Sequence, residues 1–332
     1  MIKWKKEDKL SGFAKSVTKF EDSVKEFVGC KHAIACSSGT SALMVVLMAM
    51  KQEDEKLLYQ TFNISVPTWT YIAPVNCADF LGNIKLFDCD KTLNINKCPE
   101  GITILTDVGG VPADYDNFKG IIIADAAESL GATYKGRKVG TLADITITSF
   151  HASKIITTGE GGMIFTESDI LAKKCRDLIN QGYEAGYSGG HNHSTKGFNF
   201  RLSGIQAELG IKEMKELPKR LKHRKEIYEV YFDKLKDVLE FQEIPEDRTS
   251  SHYSVTVFFK DEEQRDKVAK CMAENEIEVS YWKPVHLQYP YLQDGFPVAD
   301  DLYKRHLRLP MNNELTLVEA MMVSDKILGV LK

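Results

Sequence analysis

Apolar runs that suit buried strands alternate with helical patterns over the first two thirds of the chain. IAC at 34–36 leads into the small polar run SSGT, and ALMVVLMAM at 42–50 is apolar all round, which predicts a largely buried helix. ISVPTWTYI at 64–72 begins as a strand, with a helix expected over APVNCADFLG. Short β-rich runs follow: IKLFD at 84–88, ITILTD at 102–107, GIIIAD at 120–125, DITITSF at 144–150 and GGMIFT at 161–166. Runs apolar on both faces and separated by helices predict a mostly parallel sheet covered on both sides.

From Ser203 to about Leu239 the pattern turns helical, with Ile205, Leu209, Met214, Leu217 and Leu221 assigned to one face and Pro218 expected to kink or divide it. After EIPEDRTSS, HYSVTVFF reads as a strand, DEEQRDKVAKCMAENE as a helix, IEVSYW as a strand and LTLVEAMMVSDKILGVL as a closing helix. The expectation is a large domain over 1–220 and a small C-terminal α/β domain over 221–332, joined by a long helix near 203–239.

Composition excludes several classes. The 332 residues are 43% hydrophobic and 27% charged with a formal net charge of -4, and no long basic block marks a nucleic-acid surface. No apolar run reaches the ~20 residues a membrane span requires. The charged start MIKWKKEDKLSG lacks the apolar stretch of a signal peptide, so a cytoplasmic protein is expected. Seven scattered cysteines without a CxxC pair fit reduced thiols better than a disulfide framework or a zinc site. The histidines of HNH at 191–193 lack further local ligands, so no metal is expected.

Three stretches carry candidate chemistry. In CSSGTSAL, 36–43, a strand gives way to a helix at Gly39, Thr40 and Ser41, offering unpaired N–H groups, hydroxyls and a helix dipole to a phosphate. Ser and Thr are equally favoured as plain helix caps. In IIIADAAESLGA, Asp125 directly follows a strand-like run, where a parallel sheet faces its ligand crevice. A buried carboxylate there calls for a cation such as a pyridinium N–H, or else caps the next helix. Glu128, three residues on, shares its face if a helical turn follows. In SFHASKIITTGEGG, 149–162, Lys154 sits between a strand and a glycine turn. A lysine partly dehydrated or near other cations has a lowered pKa and can form a Schiff base with an aldehyde. Ser149 is near enough to help hold a phosphate. A phosphate cradle, an acidic partner for a ring nitrogen and a Schiff-base lysine, in that order, together describe a site for pyridoxal 5'-phosphate (PLP).

With these residues in place, the sequence resembles the fold type I PLP-dependent sugar aminotransferases of the DegT/DnrJ/EryC1 group. The resemblance runs from about Phe20 to Leu315 and is most specific over the unbroken DAAESLGATYKGRKVGTLADITITSFHASKIITTGEGGMIFT. PTWTYIAPVN at 67–76, GFNFRLSGIQAELG at 197–210 and KPVHLQYPY at 283–291 also match. DAAE and KIITTGEGGM are most similar to the GDP-perosamine branch, which aminates GDP-4-keto-6-deoxymannose.

The resemblance implies an aspartate aminotransferase-like α/β fold and transfer of an amino group from glutamate to C4 of a nucleotide-linked 4-keto-6-deoxy sugar. It implies Lys154 as cofactor lysine and proton carrier, Asp125 at the pyridine nitrogen, and Glu128 near the ring hydroxyl. Tyr71 falls where an aromatic covers the ring, and Gly39, Thr40, Ser41 and Ser149 where the phosphate is held. Asn199 matches a residue that reaches the phosphate from the neighbouring subunit, which implies a homodimer with its active site at the interface. His193 and His286 fall near substrate positions. Read without the family, Tyr71 and Asn199 would be a core aromatic and a turn residue.

The chain departs from the family in a shortened 84–114 stretch, lacking most of a connecting helix, and in Asp107-Val108-Gly109-Gly110, where relatives have a Val-His-Leu-Tyr-Gly-like run. Lys154 argues against the family's 3-dehydratase branch, where a histidine stands at this position. Cys271, on an amphipathic helix, argues against a cysteine desulfurase. Amination at C3, or a non-catalytic PLP-binding regulator, are the remaining alternatives.

Overall fold

The computed structural model describes residues 10–12, 14–51, 62–95, 97, 101–183 and 192–332. Its first half builds helix α1 (Lys15–Val28), strand β1 (His32–Cys36), α2 (Gly39–Lys51), β2 (Phe62–Pro67), α3 (Ile72–Leu81), β3 (Gly82–Phe87), β4 (Ile102–Thr106) and β5 (Ile121–Asp125). The short β6 (Thr133–Tyr134) and β7 (Arg137–Lys138) precede β8 (Ile145–Ser149), β9 (Gly162–Thr166) and α4 (Asp169–Ile179).

Seven strands form one sheet in the order β1-β9-β8-β5-β4-β2-β3. Every neighbouring pair is parallel except the two made by β9, which runs against both β1 and β8. The alternation along each strand supplies two apolar faces. In β1, Ile34 and Cys36 join a core with α2, α3 and α4, while Ala33 and Ala35 join another with α1. All strands but β9 therefore end along one edge of the sheet, where Cys36, Thr106, Asp125 and Ser149 lie, and β9 begins there with Gly162. The fold is α/β with a mostly parallel central sheet and helices on both faces.

Helix α5 (Gly204–Leu235) opens with a capping box in which Ser203 and Gln206 satisfy each other's backbone N–H groups. Pro218 does not divide it: the helix is continuous over 32 residues. A Glu213–Arg220 ion pair on the same helix brackets the proline, and Arg220 also donates to Ile155 O at 2.9 Å. The expected apolar face is only partly buried. Met214 and Leu217 are in the core, but Ile205 and Leu209 are exposed, and Ala207 and Gly210 take their place. Phe20 of α1 leaves no room at Gly210 for a larger side chain.

Beyond α5 come β10 (Glu240–Phe241), β11 (Arg248–Thr249), β12 (Val255–Phe258), α6 (Glu262–Glu274), α7 (Pro297–Arg305), β13 (His306–Leu309) and α8 (Leu317–Leu331). A three-stranded antiparallel sheet β10-β12-β13 packs with α6, α8 and the end of α5 around their own core. Val285, Phe296, Ala299 and Leu302 instead return to the core of the large sheet. The expected strand IEVSYW is not one. Ser280 makes a single bridge to Arg308, and the Trp282 N–H donates to His306 Nε2 at 2.8 Å rather than to a ladder.

Candidate active site

The strand ends converge on a cavity of about 720 Å³. Seven of the residues singled out by sequence line it: Gly39, Thr40, Tyr71, Asp125, Glu128, Ser149 and Lys154. Each is placed by the end of an element. β1 stops at Cys36, and Ser38 caps α2 by accepting the Ser41 N–H on its Oγ at 3.0 Å. Gly39 and Thr40 open the helix, and the N–H groups of a first turn have no intrahelical acceptor. Cap and cradle are thus both present in this run, on different residues. Ser41 turns away from the cavity: its Oγ accepts the Ser38 N–H and donates to Ser38 O, both at 2.9 Å. A Cβ on Gly39 would lie 3.0 Å from Ser149 Cβ, so the helix start and the end of β8 meet with no room for a side chain.

Asp125 ends β5, in register with Thr106 of β4 and Ile147 of β8. Its Oδ1 accepts the Ala127 N–H at 3.0 Å. A turn rather than a helix follows, so it is no helix cap. Burial pushes its carboxyl up to about 6, against the opposing pull of the Ala127 N–H and of Lys154. Among the described residues no cation makes ion-pair contact with it, and the more distant Lys154 does not offset its burial. Glu128 faces the same cavity. Its Oε1 lies 3.6 Å from Lys154 Nζ and its Oε2 accepts the Gly109 N–H at 2.9 Å.

Lys154 follows β8 in a turn where its N–H donates to His151 O. Its ammonium is largely buried, 4.6 Å from the centroid of the Tyr253 ring. The lowered pKa expected from dehydration is not what the surroundings produce. Burial does push the amine down, but Glu128, Tyr253 and Asp125 together outweigh it, and the net direction is upward. Reading the lysine locally could not count carboxylates contributed by another strand.

Tyr71 is no core aromatic: it is 63% exposed at the start of α3, edge-on to Trp282. Three predicted residues lie elsewhere. His286 is buried outside the cavity, one ring nitrogen against Thr68 Oγ1 and the other 2.9 Å from Asp300. This chain's structure therefore gives it no access to the pocket. His193 is exposed, its Nδ1 3.0 Å from Gln181 O, and Asn199 is exposed, bridging by its backbone to Asn180. Neither lines this chain's cavity.

The pocket also holds residues that sequence reasoning missed, among them Thr70, Thr106, His151, Tyr253, Trp282 and Arg308. Thr106 Oγ1 and Thr70 Oγ1 are 3.0 Å apart, and Thr106 lies beside Asp125 in the sheet. Its place at the end of ITILTD was a usable signal. Tyr253, Trp282 and Arg308 come from the far side of the chain, and only the fold brings them to Lys154.

An open, mostly parallel sheet with a lysine, a buried carboxylate and a helix start at its carboxyl edge is the architecture of the fold type I transferases. The family model for the DegT/DnrJ/EryC1/StrS aminotransferase family matches residues 3–328, and the chain belongs to that family. It is 33% identical to a GDP-perosamine synthase of Caulobacter vibrioides, over 92% of this chain and 88% of that protein. It is 28% identical to a UDP-4-amino-4,6-dideoxy-N-acetyl-beta-L-altrosamine transaminase of Campylobacter jejuni, over 98% of this chain and 92% of that protein. Among solved structures it is similar to a DegT DnrJ EryC1 StrS aminotransferase from Brucella abortus, with TM-score 0.86 and 26% identity over 95% of this chain and 90% of that one.

Proposed function

We propose that the protein transfers an amino group from glutamate to C4 of a nucleotide-linked 4-keto-6-deoxy sugar, with pyridoxal phosphate as cofactor. The observation that carries the proposal is the meeting of Lys154, Asp125, Glu128 and the Gly39–Thr40 helix start in one cavity.

The donor set fits the cofactor. Asp125 is a buried carboxylate with no cation in ion-pair contact among the described residues, the partner a protonated pyridine nitrogen would supply. Gly39, Thr40 and Ser149 offer helix-start N–H groups and hydroxyls to a phosphate, and Tyr71 offers a ring to cover its flat face. Ser41 steadies this turn through Ser38 rather than reaching the ligand itself. When bound, pyridoxal phosphate supplies the electron-withdrawing ring that lets the α-carbon of an amine lose its proton.

The remaining chemistry belongs to the chain. Lys154 takes the proton from the donor's α-carbon and returns one to the sugar carbon. Glu128 anchors its amine near that carbon, being itself held by the Gly109 N–H. The donor leaves as the 2-oxo acid, and the sugar leaves as its 4-amine. Asn199 and His193, exposed here, would complete the cavity of a second copy in a homodimer. The cofactor lies within residues 1–220 on this reading, with 221–332 as the small domain closing over it.

The two relatives carry different nucleotides in their names, so both enter the test. PLP-loaded protein and glutamate are mixed with GDP-, dTDP- and UDP-4-keto-6-deoxy sugars, and the products are weighed by mass spectrometry. Amination of one member is the expected result; amination of none overturns the assignment.

A further inference from the structure

Asp107, one residue past the end of β4, is fully buried behind the cavity wall, and the chemistry above gives it no task. It opens the Asp107–Gly110 run in which the chain departs from the family's pattern. Burial pushes its carboxyl up to about 7, so placing it there is costly, and three donors turn to meet it. Its Oδ1 accepts the Ala113 N–H at 2.8 Å and its Oδ2 accepts the Ser129 hydroxyl at 2.6 Å. The Tyr115 hydroxyl donates between the two oxygens, at 2.9 and 3.0 Å.

These partners belong to two different turns. Ala113 and Tyr115 follow the turn at Val108–Gly110, which Asp107 also starts, its carbonyl accepting the Gly110 N–H at 3.2 Å. Ser129 closes the turn after β5, its N–H donating to Ala126 O at 3.3 Å. One carboxyl group therefore ties the loop after β4 to the loop after β5.

Glu128 stands at their junction. Its backbone precedes Ser129, its Oε2 accepts the Gly109 N–H at 2.9 Å, and its Oε1 is left 3.6 Å from Lys154 Nζ. Gly109 presents that N–H from a left-handed backbone with φ of 68°, and a Cβ there would lie 2.4 Å from Gln242 Oε1. Both ends of the Gly109–Glu128 bond are thus carried by segments that Asp107 binds. Burial lowers the pKa of Lys154, and Glu128 is the strongest of the groups that raise it. Lys154 also faces Asp125 and Tyr253, and His151, Glu160, Lys283 and Arg308 line the same cavity. None of these six side chains hydrogen-bonds to the Asp107 carboxyl.

We propose that Asp107 is a positioning residue: by tying the two turns together it holds the Glu128 carboxylate against Lys154 and so sets how tightly that lysine keeps its proton. The consequence for turnover rests on the proton transfer proposed above; the placement itself does not.

Cofactor-free protein tests this through the reactivity of Lys154. Cyanate, which labels only unprotonated amines, is applied at fixed mildly alkaline pH, and labelling is followed by mass spectrometry with the exposed Lys222 as internal reference. In Asp107→Ala, labelling of Lys154 should be about threefold to tenfold faster than in wild type, the scale of losing a carboxylate beside an amine. Glu128→Gln should act in the same direction, and the double variant should be no faster than Glu128→Gln alone. Asp107→Asn keeps a carbonyl oxygen for the Ala113 N–H and an amide for the Ser129 hydroxyl, so it should restore the wild-type rate. A rate in Asp107→Ala equal to or below that of wild type overturns the proposal. So does an additive effect in the double variant, which would mean that Asp107 reaches Lys154 by a route other than Glu128. Equal acceleration in Asp107→Asn and Asp107→Ala also overturns it, making the charge of Asp107 the cause rather than its tie. If Asp107→Ala fails to fold, as read by circular dichroism, Ser129→Ala cuts the same tie from its other end and decides in its place, by the same comparison with Glu128→Gln. The labelling needs neither cofactor nor sugar. A protein that shows this pattern but aminates no sugar would fail the functional reading and leave the placement of Asp107 standing.

Discussion

At the scale of residues, the candidate site is a balance of charges around Lys154. Replacing it by Ala should abolish the borohydride-stable attachment of pyridoxal phosphate to the chain; attachment that survives, seen by mass spectrometry, would assign the cofactor to another lysine. Asp125 makes a pH prediction. Its carboxyl, at about 6 in the folded protein, lies above the 3.8 of an unperturbed aspartate, so folding takes up a proton between those values. Its contribution to stability is complete below about 4 and is lost as pH rises through 6, on the order of 3 kcal/mol. Cofactor-free protein should therefore melt at lower temperature at pH 7 than at pH 5, and Asp125→Asn should flatten that slope. Added pyridoxal phosphate should flatten it too, by giving the carboxylate its cation. An unchanged slope in the Asn variant would show that other groups dominate.

The residues legible in the sequence were those that end strands: Asp125 after IIIA, Ser149 after ITIT, Gly39 and Thr40 after IAC. Apolar periodicity locates such ends without knowledge of the fold. Tyr253, Trp282 and Arg308 were not legible, because they follow Lys154 far along the chain and only the fold brings them to it. The direction of the Lys154 shift was misjudged because the carboxylates that raise it, Glu128 first, follow a different strand of the sheet, and Tyr253 adds to them.

At the scale of elements, the turns rather than the strands carry the tightest constraints. Gly162 begins β9 opposite both Cys36 and Ser149, and a Cβ there would lie 2.3 Å from Ser38 O. Because the obstacle is backbone, Gly162→Ala cannot be relieved by a side-chain rotation. It should cost about 1–3 kcal/mol and shift the start of α2, weakening binding of pyridoxal phosphate as well as lowering the denaturation midpoint. Normal cofactor affinity in a destabilised variant would show that the cradle does not depend on this packing. The strands of the large sheet were predictable from two-faced apolar runs. Helix α5 was predictable in extent, and the division that Pro218 suggested does not occur, the helix running on through it. IEVSYW has the composition of a strand, yet Trp282 gives its N–H to His306 instead.

At the scale of the whole molecule, Asn199 is exposed and outside its own chain's cavity, and in the proposed homodimer it serves the neighbouring copy. Mixing inactive Lys154→Ala protomers with inactive Asn199→Ala protomers should then restore activity, because each mixed dimer contains one site with both residues intact. Mixed dimers that form, as seen by native mass spectrometry, yet stay inactive would mean that Asn199 serves its own chain or none.

The reversed strand β9 has a further consequence. Ser149 and Gly162 pair across the β8–β9 junction, and Phe150 N–H donates to Gly161 O at 2.8 Å, so residues 150–161 form a loop cinched at its neck with Lys154 inside. Sliding β9 by one residue would turn Ile164 out of one apolar core and into the other. A deletion or insertion in the loop therefore cannot leak into the sheet. It must be absorbed within the noose itself, changing the lysine's reach toward Asp125 directly. Length here is a calibrated quantity, as it is in a gauge, and variation in this protein should accumulate anywhere sooner than between its two cinched ends.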